Sequence, residues 1–109
     1  MRKELVMYSR STGCPSVRVV KRVLDEHKVP YREVYVDKSE QANRRVKIWT
    51  GFASVPTLVI SREGEEVPIK EPQSLEVGEN PRGKNRGSMI SEPNSNQLKD
   101  WLREQGFID

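Results

Sequence analysis

Leu5-Val-Met-Tyr-Ser-Arg-Ser-Thr-Gly-Cys-Pro-Ser-Val-Arg-Val-Val20 encodes a strand, a loop and a helix in succession. Its first four residues are apolar, with a β-branched and an aromatic member, and Ser9 to Gly13 is turn chemistry that stops them. That is a strand and its loop. Pro15 suits the first position of a helix, where its missing N–H has no intrahelical partner to lose, and Val17, Val20 and Leu24 follow at helical spacing. Arg18, Lys21, Arg22, Asp25 and Glu26 take the opposite face. The helix is expected to end near Lys28, because Pro30 disfavours helical geometry at Val29.

Working outward, Tyr31-Arg-Glu-Val-Tyr-Val36 reads as a second strand. Asp37 is expected to cap a second helix, with Glu40 completing a capping box and Ala42, Val46 and Trp49 one turn apart. Gly51 is the expected stop. Val55 to Ile60 reads as strand three, entered through Pro56. Asn94 or Ser95 caps a last helix that buries Leu98, Trp101 and Leu102, and Phe107 and Ile108 are expected to fold back onto the core. The order β-α-β-α-β-β-α predicts an α/β domain with a mixed sheet of about four strands and three helices. Strand four is sought at Glu66 to Lys70 or at Gly87 to Ser91.

Between these elements, residues 62–93 read as an irregular insert within one domain, 1–109. From Ser61 to Pro93 lie four prolines, four glycines and many charges, with apolar residues singly or in pairs. Connections beyond about 15 residues are uncommon in compact domains. Gly78 to Gly87 is expected to be its most mobile part, and the cations of Arg82-Gly-Lys-Asn-Arg86 read as solvated.

The composition bounds the function. Hydrophobic residues make up 34% and charged residues 32% of 109 positions, so the core is small. Nineteen basic against 16 acidic residues give a net charge of +3, an interspersed surface that points to neither nucleic acid nor membrane. The single cysteine cannot form an internal disulfide, which favours a reducing, cytoplasmic setting. One His and one Cys leave little material for a metal site. Cys14 is the chemically interesting residue. At a helix start, first-turn N–H groups and the positive dipole end favour a thiolate over a thiol, and the polar loop Ser11-Thr12-Gly13 suggests exposure. Arg10 and Arg18 add positive charge nearby. A buried structural cysteine is the plainer alternative.

Tyr8-Ser-Arg-Ser-Thr-Gly-Cys-Pro-Ser16 and, further on, Trp49-Thr-Gly-Phe-Ala-Ser-Val-Pro-Thr57 together resemble a glutaredoxin. The likeness covers about residues 4 to 61 and returns weakly at the last helix. It implies a thioredoxin-like fold, Cys14 as nucleophile in a loop with Thr12, Gly13, Pro15, Ser16 and Arg18, and Pro56 as a cis-proline. It further implies that Val55, in the Ser54-Val-Pro turn, pairs through its backbone with the cysteinyl part of glutathione. The family's basic residue ahead of the cysteine falls on Arg10, and its helix-two glutamine falls on Asn43, with Arg44 beside it. The resemblance implies no tightly bound cofactor, glutathione or another small thiol as co-substrate, and glutathionylated or disulfide-containing proteins as partners.

Three departures accompany the resemblance. Val17 replaces the second cysteine of the dithiol motif, so turnover requires an external thiol. The Cys-Gly-Phe-Ser motif of cluster-sharing monothiol members is missing, which argues against a shared iron–sulfur cluster. The Gly-Gly-x-x-Asp that grips the γ-glutamyl end is replaced by Ser91-Glu-Pro-Asn-Ser-Asn96, leaving Asn94, Ser95 and Asn96 as polar stand-ins. Two other readings stay open: a redox-inactive interaction module on the same fold, and an arsenate reductase or Spx-like protein, whose Cys-x-x-x-Arg pattern Cys14 and Arg18 match.

Overall fold

The computed structural model describes residues 2–109. Strand β1 (Lys3–Ser9) is followed by α1 (Pro15–Glu26), β2 (Arg32–Tyr35), α2 (Glu40–Thr50), β3 (Thr57–Arg62), β4 (Met89–Ser91) and α3 (Ser95–Glu104). The strands lie in the order β2-β1-β3-β4, with β1 parallel to β2 and antiparallel to β3, and β3 antiparallel to β4. This is the expected α/β, thioredoxin-like arrangement. Among the described residues no helix is long and apolar enough to cross a membrane.

The continuous apolar run of β1 is explained by burial on both faces, because side chains alternate across a strand. Leu5 and Met7 join Leu58, Ile60 and Ile90 under α1 and α3. Val6 and Tyr8 join Val59 and Met89 on the other face, under Ala42 and Val46 of α2. The sheet is thus the middle of three layers. Helix α1 buries Val17, Val20, Val23 and Leu24, and α3 buries Leu98, Trp101 and Leu102. Phe107 and Ile108 pack against the same cluster, as expected.

Helix ends explain where the elements stop. After α1, the Val29 N–H bonds to the Leu24 carbonyl at 2.9 Å and the Lys28 N–H to the Asp25 carbonyl at 3.1 Å, a Schellman motif with Val29 and Leu24 in one apolar cluster. Lys28 sits in the left-handed region at φ 55°, where glycine is usual. Helix α2 departs from expectation at its start. Ser39, not Asp37, is the N-cap, its hydroxyl accepting from the Ala42 N–H. Asp37 is engaged elsewhere, by Ser11. Gly51 closes α2 at φ 90°, and Asn94 caps α3 in a full capping box with Gln97.

Of the two stretches considered for strand four, the later one forms it, as the three residues Met89–Ser91. Glu66 to Lys70 is not a strand, although it runs beside β3: the Ile69 N–H bonds to the Ile60 carbonyl at 2.7 Å and the Ser61 hydroxyl to the Val67 carbonyl at 2.8 Å. Strand three begins at Thr57, later than expected, after the Ser54–Pro56 turn. The segment Gly78 to Gly87 is better anchored than its composition implied. Arg86 is buried and donates to the carbonyls of Gln73 and Trp49, each at 2.7 Å, and the Gly83 N–H donates to the Ser91 carbonyl at 2.7 Å. The Arg86 guanidinium, bonded to two backbone carbonyls, stands where the sequence lacks an apolar anchor.

Lys28→Gly should relieve the left-handed backbone and stabilise the protein by roughly 0.5–1 kcal/mol, the net of about 1–2 kcal/mol of steric relief against the greater unfolded-state freedom of glycine. A urea titration should show a raised midpoint at unchanged slope. A lowered midpoint would contradict the Schellman reading.

Candidate active site

Strand register gathers the functional loops. Tyr8 of β1 pairs with Thr57 of β3, and Thr57 pairs with Ser91 of β4. The loop leaving β1, the turn entering β3 and the segment leaving β4 therefore meet at one end of the sheet. Residues 10–14, 54–56 and 92–95 all lie there, as does the start of α2, since β2 runs parallel to β1 and ends at Tyr35 beside Ser9.

Cys14 is the N-cap of α1, partly buried against the core, with extended backbone at φ −133° and ψ 127°. Its side chain makes no cap hydrogen bond. Pro15 contributes no N–H, and the Ser16 and Val17 amides, in the first turn, have no intrahelical acceptor. The Cys14 side chain thus stands at the positive end of the helix dipole, beside amides that have no intrahelical acceptor. Arg18 bends back toward the loop, so that a Cβ on Gly13 would stand 2.9 Å from Arg18 Nη2. Thr12 and Arg10 are exposed.

The loop before Cys14 is held from across the site. Asp37, just past β2, accepts from the Ser11 N–H at 3.0 Å and from the Ser11 hydroxyl. These bonds, the hydroxyl first, hold its carboxyl below the usual carboxylate range. This pairing leaves no signal in the sequence, because the partners are distant and Asp37 fits a local cap equally well.

The Val55–Pro56 bond is cis, as the resemblance implies. A buried hydroxyl pair supports this turn. Thr57 Oγ1 gives its one hydrogen to the Ser54 carbonyl at 2.8 Å, so at the 2.8 Å contact between the two hydroxyls it is Ser91 that donates. Ser54 is buried, and its hydroxyl donates to Glu92 Oε2 at 2.7 Å. The Glu92 N–H in turn bonds to the Pro56 carbonyl at 2.7 Å. Among the described residues, no hydrogen bond occupies the Val55 backbone.

Beside the first turn of α1 runs an open groove of about 530 Å³, lined by Ser16, Val19, Glu92, Asn94 and Ser95 and, from the insert, Arg82. Asn94 already spends its carbonyl oxygen and its N–H on the capping box. Ser95 is half-buried. Asn43 is half-buried on the first turns of α2, whereas Arg44 is exposed and ion-paired with Glu40 at 3.1 Å. A smaller hollow of about 290 Å³, between Lys3, Tyr31, Arg32 and Phe107, lies at the other end of β1, away from Cys14.

The Asp37 tether has a predictable pH dependence. A carboxyl whose folded-state value is depressed gives its full support above the ordinary value of about 4 and loses it as the pH falls through the depressed value. The Ser11 amide resonance should therefore shift with a midpoint below about pH 4. Asp37→Asn should abolish the step, and a Ser11 amide indifferent to acid would contradict the tether.

Against known proteins, residues 5–65 match the glutaredoxin family model. No curated protein matches the chain. The match covers more than half of the sequence and takes in most of β1, the Cys14 helix, α2 and the Ser54–Pro56 turn. The chain belongs to the glutaredoxin family.

Proposed function

We propose that the protein is a monothiol glutaredoxin-type oxidoreductase that moves glutathionyl groups through Cys14. The observation that carries this reading is the placement of Cys14 as an unbonded N-cap at the end of the sheet where the Val55–Pro56 turn also lies. The Cys14 thiolate attacks the glutathione sulfur of a mixed disulfide; that S–S bond breaks, a Cys14–glutathione disulfide forms, and the substrate leaves as thiolate and takes up a proton. A second glutathione thiolate then attacks the glutathione sulfur held on Cys14, releasing oxidised glutathione and restoring Cys14. With Cys14 as the only cysteine, no internal disulfide intervenes.

In this reading the free Val55 N–H and C=O pair with the cysteinyl residue of glutathione, in the manner of an added strand. Asn43 and Arg44 are offered to its glycyl carboxylate, Asn94 and Ser95 to its γ-glutamyl end, and Arg10 and Arg18 add positive charge near the sulfur. Ser54 acts through Glu92. The partners are glutathione or a similar small thiol and glutathionylated or disulfide-bearing proteins, in a reducing, cytoplasmic setting. The family match favours this over the arsenate reductase or Spx-like reading, whose one realised feature is Arg18 folded back toward Gly13.

Deglutathionylation of a small mixed disulfide in the presence of glutathione is the direct assay. The wild type should turn over, Cys14→Ser should be inactive, and Arg10→Ala should lose a few-fold through a solvent-screened charge. Direct reduction of an insulin-type disulfide, which needs a resolving cysteine, should be slight. No turnover by the wild type would leave an interaction module as the better account.

A further inference from the structure

The insert reaches the groove at a fixed point. Arg82 forms a parallel bridge with Ser91 at the end of β4, the Gly83 N–H bonds to the Ser91 carbonyl at 2.7 Å, and the Arg82 N–H is held by Asn80 Oδ1 at 2.9 Å. Gly83 lies so close under Gln97, a member of the α3 capping box, that a Cβ there would fall 2.5 Å from it. The backbone that carries Arg82 is thus packed against the first turn of α3.

Glu92 explains the direction of the Arg82 side chain. It occupies the left-handed region at φ 42°, in the motif where the family carries glycine, and its carboxylate sits between Ser54 and Arg82. That carboxylate is 14% exposed, whereas the Arg82 side chain is 64% exposed. One guanidinium nitrogen, Nη2, reaches Glu92 Oε1 at 3.3 Å. A guanidinium has five N–H donors in a planar fork, so most of the fork remains for a ligand. The groove volume falls within the range of small-ligand sites.

We propose that Arg82 is a specificity-determining residue that selects, among small disulfides reaching Cys14, those carrying a carboxylate. The inference rests on Cys14 being the nucleophile proposed above. Its chemistry is plain exchange: the Cys14 thiolate bonds to one sulfur of the disulfide, the S–S bond breaks, and the other sulfur leaves as thiolate. Arg82 takes no part in bond making; it holds the acidic end of the incoming disulfide in the groove, and Glu92 aims it.

The test compares rate constants for Cys14 adduct formation, read by intact mass, with oxidised glutathione, neutral bis(2-hydroxyethyl) disulfide and cationic cystamine. Arg82→Gln should cut the ratio of oxidised glutathione to hydroxyethyl disulfide by about tenfold and raise the relative rate of cystamine. Arg82→Lys should restore much of the preference, and Glu92→Gln, which removes the competing negative charge, should increase it. High salt should compress all of these differences. Equal changes with the three disulfides, or an unchanged ratio in Arg82→Gln, would overturn the inference while leaving Cys14 as nucleophile. A wild type that forms no adduct with any of them would overturn the proposed function, and this inference with it.

Discussion

Tyr8, Thr57 and Ser91 lie side by side on three adjacent strands, and the rest of the site depends on that register. Side chains alternate along a strand, so a slip of one residue would exchange the two buried faces of β1 and turn Leu5 and Met7 away from α1 and α3. The core therefore enforces the pairing. The pairing in turn places the loop before Cys14, the Val55–Pro56 turn and Glu92 at one end of the sheet. The buried Ser91–Thr57–Ser54 hydrogen bonds then lock the turn to β4, where an unmade bond would leave a desolvated polar group at a cost of roughly 1–3 kcal/mol.

Polar contacts over long sequence distances finish what the apolar core begins. Asp37 holds the Ser11 loop from beyond β2, Ser54 joins the cis-proline turn to Glu92, and Arg86 ties the insert to the end of α2 through the Trp49 carbonyl. Trp101 adds a fourth link, its indole N–H donating to the Gly87 carbonyl at 2.8 Å. Through Arg82 the insert also lines the groove beside α1. In its irregular third the chain uses a charged side chain, Arg86, bonded to two main-chain carbonyls, as an anchor.

The sequence makes legible what local pattern determines. The strand–loop–helix around Cys14, the Gly51 stop, the Asn94 cap and the buried face of α3 each follow from neighbours within a turn or two. What was not legible depended on partners far along the chain. Asp37 is as good a cap as Ser39 until Ser11 claims it. Arg82 and Arg86 look like solvated loop cations until Glu92, Gln73 and Trp49 are brought beside them. Strand four, three residues long, is set by its pairing with β3 more than by its own composition. The left-handed conformation of Glu92 is announced by no glycine in this chain, since the family's Gly-Gly is Ser91-Glu92 here.

If Cys14 and the Val55–Pro56 turn form a single glutathione site, as proposed, amide hydrogen exchange at Val55 before and after oxidised glutathione is placed on Cys14 will register it. The account predicts an adduct on Cys14 and a slowed Val55 amide, because that N–H gains a partner when the cysteinyl residue pairs with it. An adduct that leaves Val55 exchange unchanged would contradict the claim.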